Sequence, residues 1–316
     1  MLLVSKLENS AGFYSMFFFV VNNYIYAKKH NYSFMLDSSD WLFKTSYGWT
    51  DYFESMNVNR NSSVDIMHIP NSTLLDNYPI YEYKAVLQDI YKYNSNTQLL
   101  INETKKRLGI ENGEYDAIFI RRGDKLYNES PYIETNIYIE KVLEKNPNCK
   151  TIFIQTDDYN CVTDTETYLK NNNLNIQILT LCDPMLKGMV IIDFVNRNLS
   201  KTSPSYHIVK DNSKYMEKIG DSLQKEKPVN RMNPTEICNH TLTMLIGLDI
   251  VLHSNICVCD YFSNVSRFIK LMHKNYDNVH DVYVYNNEGQ PDLNVIGCPM
   301  TEESFYPGIF STSKKE

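Results

Sequence analysis

The sequence predicts an α/β protein of two domains, each built around a parallel sheet. The length of 316 residues favours two domains over one. Residues 1–5, 13–29 and 32–36 have the patterns of a strand, a long apolar helix and a second strand, an order typical of the start of a parallel sheet. From residue 117 onwards, short apolar runs alternate with helical patterns, which predicts a second α/β unit.

Composition and charge exclude several classes of protein. A hydrophobic content of 43% and an aromatic content of 13% are sufficient for packed cores, so the chain is not disordered. The formal net charge of −7 argues against non-specific binding to nucleic acid, which requires a basic face. The seven cysteines are odd in number and widely spaced, which does not indicate a disulfide framework. The CxxC and HExxH metal motifs, the Walker A motif and the GxGxxG motif are all absent.

The N-terminal segment lacks the pattern of a secretory signal. The most apolar run, residues 16–21, is too short to span a bilayer and is followed by Asn22 and Asn23. We therefore expect a cytoplasmic protein without a membrane span.

The segment 37–53 contains both tryptophans of the chain, Trp41 and Trp49. Its mixture of polar and aromatic residues suits a loop at the mouth of a cleft, and it also suits a loop folded onto its own aromatic core. A helical pattern follows at residues 82–93.

Linker candidates at residues 94–96 and 109–113 place the domain boundary near residue 110. The predicted organisation is an N-terminal α/β domain at 1–110, a C-terminal Rossmann-like domain at 111–300 and a polar tail at 301–316.

The second half is expected to alternate strands and helices, with irregular structure at 183–236. The expected strands are 117–120, 151–155, 175–179, 256–259 and 282–285. The expected helices are 136–144, 165–170, 240–252 and 264–272.

A basic segment, Arg121-Arg122-Gly123-Asp124-Lys125, directly follows the strand 117–120. Ligands of open α/β sheets bind beyond the carboxyl ends of the strands. Three cations at such an end indicate an anionic ligand, and phosphate matches guanidinium groups well. Asp124 and Glu129 add carboxylates that could orient an arginine or accept a proton. Two alternatives stay open, a solvated turn and an Arg-Gly-Asp adhesion motif.

Further polar residues occur at strand ends and helix starts. Asp157 and Asp158 follow the strand 151–155, and Ser263 with Asn264 begins the last helix, where backbone N–H groups could bind phosphate or the serine could be a simple N-cap. Asp249 is isolated in an apolar helix, so it must be hydrogen-bonded or charge-paired, or its pKa must rise.

Two roles are open for Asp249, a buried cap within the protein or a contact with the N–H donors of a ligand such as guanine. The whole arrangement suits a nucleotide-sugar site, in which the cations stabilise a departing diphosphate without a metal ion.

These segments resemble the α-1,6-fucosyltransferases of glycosyltransferase family 23. Residues 119–138 resemble that family's HVRRTDK…E…Y region, and residues 153–158 resemble its strand ending in Thr-Asp-Asp. The other matching segments are residues 12–53, with the tryptophan loop, residues 248–267 and residues 281–290. The matches follow the family's order over most of 1–292.

The resemblance implies a GT-B-like core of two Rossmann-like domains facing a cleft, with the acceptor on the N-terminal side. It implies GDP-fucose as donor, a glycan as acceptor, and an inverting transfer that needs no metal or other cofactor. Oligomeric state and the acceptor's identity stay open.

The resemblance also implies roles for individual residues. Arg121, Arg122 and Lys125 would hold the diphosphate, with Arg122 the foremost candidate for stabilising the leaving group. Glu129 would be the general base, Tyr138 would lie against the donor, and Asp249 would recognise guanine. The remaining donor-pocket residues would be Asp124, Asp157, Asp158, Ser263 and Asn264.

The sequence departs from the family pattern at Phe119, Phe262 and Asn264, where the family has His, Ser and Gln. Two alternative functions therefore remain. One is a non-catalytic protein that binds a GDP-sugar or a glycan on the same fold, and the other is a transferase that uses another GDP-sugar.

Overall fold

The structure is a computed structural model that describes residues 1–7, 12–56, 65–69, 76, 78–122, 126, 132–187, 229–261 and 263–282. The strands are β1 (Leu2–Lys6), β2 (Ser33–Asp37), β3 (Ile66–Ile69), β4 (Asp116–Ile120), β5 (Thr151–Thr156), β6 (Gln177–Thr180), β7 (Cys257–Cys259) and β8 (Val279–Asp281). The α-helices are α1 (Phe13–Lys29), α2 (Ile80–Ile90), α3 (Ser95–Leu108), α4 (Thr135–Lys145), α5 (Asn160–Asn171), α6 (Pro234–Leu252) and α7 (Asn264–Met272).

The described chain forms two compact units. Unit 1 comprises the described residues within 1–101 and 229–244, and unit 2 comprises those within 102–228 and 245–297. The divisions fall inside α3 and α6, so each of these helices belongs partly to each unit.

Unit 1 contains a parallel sheet with the strand order β2-β1-β3. Helix α1 is buried on most sides because its sequence is apolar around almost the whole circumference. Its two central asparagines are also buried, and both find partners: Asn23 donates to the Ser5 hydroxyl at 3.0 Å and Asn22 donates to the Tyr83 hydroxyl at 2.9 Å. These bonds satisfy polar groups that would otherwise destabilise the core.

The tryptophan segment is folded onto an aromatic core of unit 1. Trp41 and Trp49 are both buried. The Trp49 ring stacks on Phe53 with a centroid distance of 4.0 Å and on Phe17 at 5.1 Å. Of the two roles that the sequence allowed for this segment, the structure shows the packed aromatic core for both tryptophans.

Unit 2 contains a parallel sheet with the strand order β6-β5-β4-β7-β8. From β4 the chain adds β5 and β6 on one side, whereas β7 and β8 lie on the other. The topological switch point therefore lies between β4 and β7, and in open α/β sheets this is where the crevice for a ligand forms. All five residues of β4 are buried, as expected for a central parallel strand.

Most expected elements are confirmed, and the differences have local causes. α6 begins at Pro234 rather than at residue 240, because Asn233 and Glu236 form a reciprocal capping box with N–H to oxygen distances of 3.0 and 2.7 Å. The sequence did not predict β3 or α3. The latter starts in the expected linker 94–96, where the Asn94 side chain accepts the Thr97 N–H at 2.9 Å.

β8 spans Val279–Asp281, and the strand expected at 282–285 lies outside the described residues apart from Val282. Across the described residues, no helix combines the length and the hydropathy that a membrane span requires.

Candidate functional site

The candidate site lies at the carboxyl edge of the unit 2 sheet. Arg121 and Arg122 follow β4, and Asp157 and Asp158 follow β5. The two strands are neighbours with Ile120 opposite Thr156, so the basic and the acidic pair emerge side by side. The structure thus brings together four of the residues that the sequence singled out.

Asp157 joins the two arginines. One carboxylate oxygen accepts the backbone N–H of Arg122 at 2.7 Å, and the other lies 3.1 Å from the Nε of Arg121. The Arg121 side chain is 34% exposed. A guanidinium that is oriented by a carboxylate and still accessible is well suited to an anionic ligand.

Arg122 is buried, with 1% of its surface exposed. Its Nη2 donates to the Thr135 hydroxyl at 2.8 Å and to the Ile133 carbonyl at 3.1 Å. Its Nη1 lies 3.6 Å from the carboxylate of Asp158, and its guanidinium lies 4.6 Å from the centre of the Tyr132 ring. The charge of Arg122 is therefore balanced within unit 2.

Asp158 links this network to the next helix. The carboxylate is fully buried, and its Oδ1 accepts the N–H of Asn160, the first residue of α5, at 3.0 Å. Its Oδ2 faces Arg122. The same carboxylate thus accepts an N–H group at the start of α5 and neutralises a buried cation.

The sequence did not single out Tyr132, Thr135 or Asp164 as members of this network. Asp164 lies 3.9 Å from Arg122 and 3.4 Å from the Thr135 hydroxyl. Tyr132 lies in the loop before α4, Thr135 is the first residue of α4 and Asp164 lies on α5, and no local pattern marks them. The sequence could have indicated them only indirectly, because a buried arginine requires hydrogen-bond acceptors nearby.

Ser263 and Asn264 lie at the start of α7, which follows β7. Because β7 is paired with β4, this helix start belongs to the same carboxyl edge as the arginine pair. The Ser263 hydroxyl accepts the Val265 N–H at 3.2 Å, which is an N-cap. Capping and phosphate binding by the remaining N–H groups are compatible.

Asp249 lies in a different part of unit 2. Its carboxylate is 2.5 Å from Lys105 Nζ and 3.3 Å from His253 Nδ1. The carbonyl of the next residue, Ile250, accepts the hydroxyl proton of Tyr115, which precedes β4. Asp249 is therefore near the amino end of β4, whereas Arg121 follows its carboxyl end.

Electrostatic partners account for the burial of Asp249. Burial raises the pKa of this carboxyl, but the hydrogen bond and charge of His253 and the charge of Lys105 lower it more, so the pKa lies below its usual value. The pKa of His253 is raised by the same hydrogen bond. The structure therefore shows Asp249 as a buried, charge-paired carboxylate. Recognition of guanine by Asp249 stays a prediction.

The other expected site residues are placed as follows. Tyr138 is buried in the hydrophobic cluster of unit 2 with Ile118 and Ile139. Asp124, Lys125, Glu129 and Phe262 lie outside the described residues. Within the described part of the chain, no group of three or more His, Cys, Asp and Glu side chains is arranged to hold a metal ion.

The fold is similar to that of solved fucosyltransferases. A NodZ α-1,6-fucosyltransferase soaked with GDP-fucose superposes with a TM-score of 0.53 and 9% sequence identity, covering 92% of this chain and 96% of that one. The fucosyltransferase NodZ from Bradyrhizobium has a TM-score of 0.49 and 8% identity over 86% of this chain and 92% of its own. An Arabidopsis thaliana FUT1 mutant in complex with GDP has a TM-score of 0.47 and 7% identity, with coverages of 92% and 72%.

No protein-family model matches the chain, and no curated protein matches its sequence. The first of these structures alone exceeds a TM-score of one half, and at 9% identity it shows a shared fold. The two parallel sheets are consistent with a GT-B-like α/β architecture.

Proposed function

We propose that this chain is a glycosyltransferase that moves fucose from GDP-fucose to a hydroxyl group of a glycan. The observation that carries the proposal is the arginine pair at the switch point of the unit 2 sheet, with Arg121 oriented by Asp157. The arrangement lies on a fold shared with a fucosyltransferase over 92% of this chain. The NodZ crystal was soaked with GDP-fucose, which suggests the donor to be tested first.

Stabilisation of the leaving group is the main task of such a site. Displacement at the sugar carbon develops negative charge on the departing GDP, and preorganised cations at that position lower the barrier. Arg121 combines an oriented guanidinium with exposed surface, so it can contact the diphosphate directly. Arg122 was the foremost candidate for this role from the sequence. Because Arg122 is buried beside Asp158, this proposal gives the direct contact to Arg121, and Arg122 would hold this edge of the sheet in place.

The start of α7 offers a second contact for phosphate. The N-terminus of a helix carries partial positive charge and free N–H donors. Ser263 and Asn264 occupy this position beside β4. Together with Lys125, which follows Arg121 and Arg122 in the sequence, these donors would do the work that a metal ion does in other transferases, and the carboxylate of Asp124 would orient an arginine.

The resemblance supplies the remaining roles. Glu129 would deprotonate the acceptor hydroxyl while GDP leaves from the opposite face, which gives inversion. Tyr138 would lie against the donor, Asp158 would complete the pocket, and Asp249 would recognise guanine. For Asp249 this role requires a ligand that competes with Lys105 and His253.

Calorimetric binding of the donor tests the proposal. GDP-fucose, GDP-mannose and GDP are titrated into the purified chain in the presence of EDTA. We expect micromolar binding of GDP-fucose and a loss of about tenfold or more, about 1.4 kcal/mol, in Arg121→Ala. Arg107→Ala is the matched control, because Arg107 is an exposed arginine on α3. If none of the three GDP ligands binds, the proposal is wrong.

Turnover separates an enzyme from a binding protein. GDP release is measured with a panel of glycan acceptors for the wild type and for Glu129→Gln. We expect the variant to bind GDP-fucose normally and to lose most of its transfer activity. Normal transfer by Glu129→Gln would show that Glu129 is not the general base. If GDP-mannose binds more tightly than GDP-fucose and mannose is transferred, the donor is GDP-mannose.

A further inference from the structure

The loop that follows β2, residues 38–52, has features that the donor site does not use. β2 ends at Asp37, so the loop emerges at the carboxyl edge of the parallel sheet of unit 1. This is the edge at which α/β sheets bind ligands. The loop carries Tyr47, whose surface is 81% exposed, the highest exposure among the large aromatic side chains described.

The tip of the loop is held by one carboxylate. Asp51 accepts the backbone N–H groups of four consecutive residues, 45 to 48, at distances of 2.7, 3.0, 2.9 and 3.1 Å. Burial raises the pKa of Asp51, but the N–H groups of Ser46, Tyr47 and Thr45 lower it more, so the pKa lies below its usual value. The carboxylate is therefore charged at neutral pH, and its hydrogen bonds are charge-assisted.

The base of the loop is fixed by packing. The backbone N–H of Trp49 donates to the Ser38 hydroxyl at 2.9 Å, and its indole N–H donates to the Glu54 carbonyl at 3.0 Å. Gly48 has a φ of +87° and lies so close to Ser38 that a Cβ would overlap it. The backbone at residue 48 therefore requires glycine, and the backbone of the neighbouring Tyr47 is well defined.

An exposed aromatic ring on a backbone that is held in place is a favourable binding element. A tyrosine has few rotatable bonds, so it provides a large contact area at a low cost in conformational entropy. Its ring face carries partial negative charge and attracts C–H groups that are slightly positive. The apolar face of a pyranose ring presents such C–H groups, while its hydroxyls can reach polar neighbours such as the exposed Ser46.

We propose that Tyr47 is a sugar-binding residue that stacks on a hexose ring of the glycan acceptor. That the bound glycan is the acceptor rests on the proposed glycosyltransferase function. That Tyr47 binds a glycan rests on the loop alone. Unit 1 would thus contribute an exposed aromatic platform, Tyr47, on a loop backbone that Asp51 and the buried Trp49 hold in place.

Single exposed aromatic residues are common on protein surfaces, so a control residue is needed. Tyr81 is 67% exposed and belongs to the same unit, but it lies on the helix α2. Tyr81 has the same side chain as Tyr47, but it lies on a helix and not on a loop whose tip is held by Asp51. Ordinary surface exposure predicts the same behaviour for both residues, whereas the proposal predicts different behaviour.

The test uses the full chain and an array of chitin-, mannose- and galactose-based oligosaccharides. The strongest wild-type binder is then measured by calorimetry. We expect Tyr47→Ala to weaken binding about tenfold, about 1.4 kcal/mol. We expect Tyr47→Trp and Tyr81→Ala to bind like the wild type. Unchanged thermal unfolding of each variant shows that the loss is local.

Two results would overturn the inference: no oligosaccharide bound by the wild type, or equal affinities for the wild type and Tyr47→Ala. The donor titration described above is independent of both. If GDP-fucose binds but Tyr47→Ala changes nothing, the platform is wrong and the proposed function stands. If Tyr47 supports glycan binding but no GDP ligand binds, the proposed function fails and the platform remains.

Discussion

Replacing Arg122 with methionine is expected to destabilise unit 2 strongly. Methionine keeps much of the side-chain volume but removes the guanidinium that lies 3.6 Å from the fully buried carboxylate of Asp158. It also removes the hydrogen bonds to Thr135 and Ile133. Removing one partner of a buried ion pair typically costs about 3–5 kcal/mol, a large part of a total stability of about 5–15 kcal/mol.

Arg121→Met is the matched comparison at the adjacent position. The side chains of Arg121 and Asp157 are 34% and 23% exposed, so their ion pair is partly open to solvent although the Nε atom itself is buried. Such pairs contribute less than about 1 kcal/mol. The two substitutions are chemically identical, so a difference between them reports burial and partners.

Urea unfolding of the full chain measures both effects. Both tryptophans lie in unit 1, so their fluorescence reports that unit, whereas far-UV circular dichroism reports helices of both units. With a slope of about 1–3 kcal/mol per molar urea, Arg122→Met should lower the midpoint of the circular dichroism transition by at least about 1 M. Arg121→Met should lower the midpoint by less than half as much as Arg122→Met does.

A second variant makes the reasoning refutable if Arg122→Met does not fold. The double variant Arg122→Met with Asp158→Asn removes both charges, so it should be more stable than Arg122→Met alone. Equal midpoints for the two single variants, or no recovery in the double variant, would show that the buried pair does not stabilise unit 2 as inferred.

Two further predictions concern unit 2. The pKa of His253 is raised by Asp249, so the stability from this pair is complete below about pH 6.5, the value for an unfolded histidine, and is lost as pH rises through the raised pKa. The urea midpoint of His253→Gln should lack this decline, and a profile like the wild type's would contradict the assignment. A Cβ on Gly247 would overlap the end of the Gln155 side chain, which is half-buried and flexible and can move aside. Gly247 lies inside α6, where alanine is favoured over glycine by up to about 1 kcal/mol, so Gly247→Ala should leave the urea midpoint unchanged or raise it. A drop in the midpoint that Gln155→Ala reverses would show that Gln155 is held in place.

The order of the elements was predictable from the sequence because its signals are local. The helix expected at 13–29 is found at those bounds, and the strand expected at 117–120 is found one residue longer. Apolar runs and helical periodicity reflect burial of neighbouring residues, which depends little on the rest of the chain. By contrast, α3 is mostly polar and buries few side chains, so it gave no periodic signal.

The sequence by itself determined that two arginines follow one strand of a predicted parallel sheet and that an acidic pair follows the next strand along the chain. Only the tertiary structure decided that Arg121 is accessible while Arg122 is buried among Thr135 and Asp158. It also decided that Asp249 pairs with Lys105 from another helix. Burial and ion pairing depend on which elements are neighbours in space. The strand order determines those neighbours, and the local residue pattern does not.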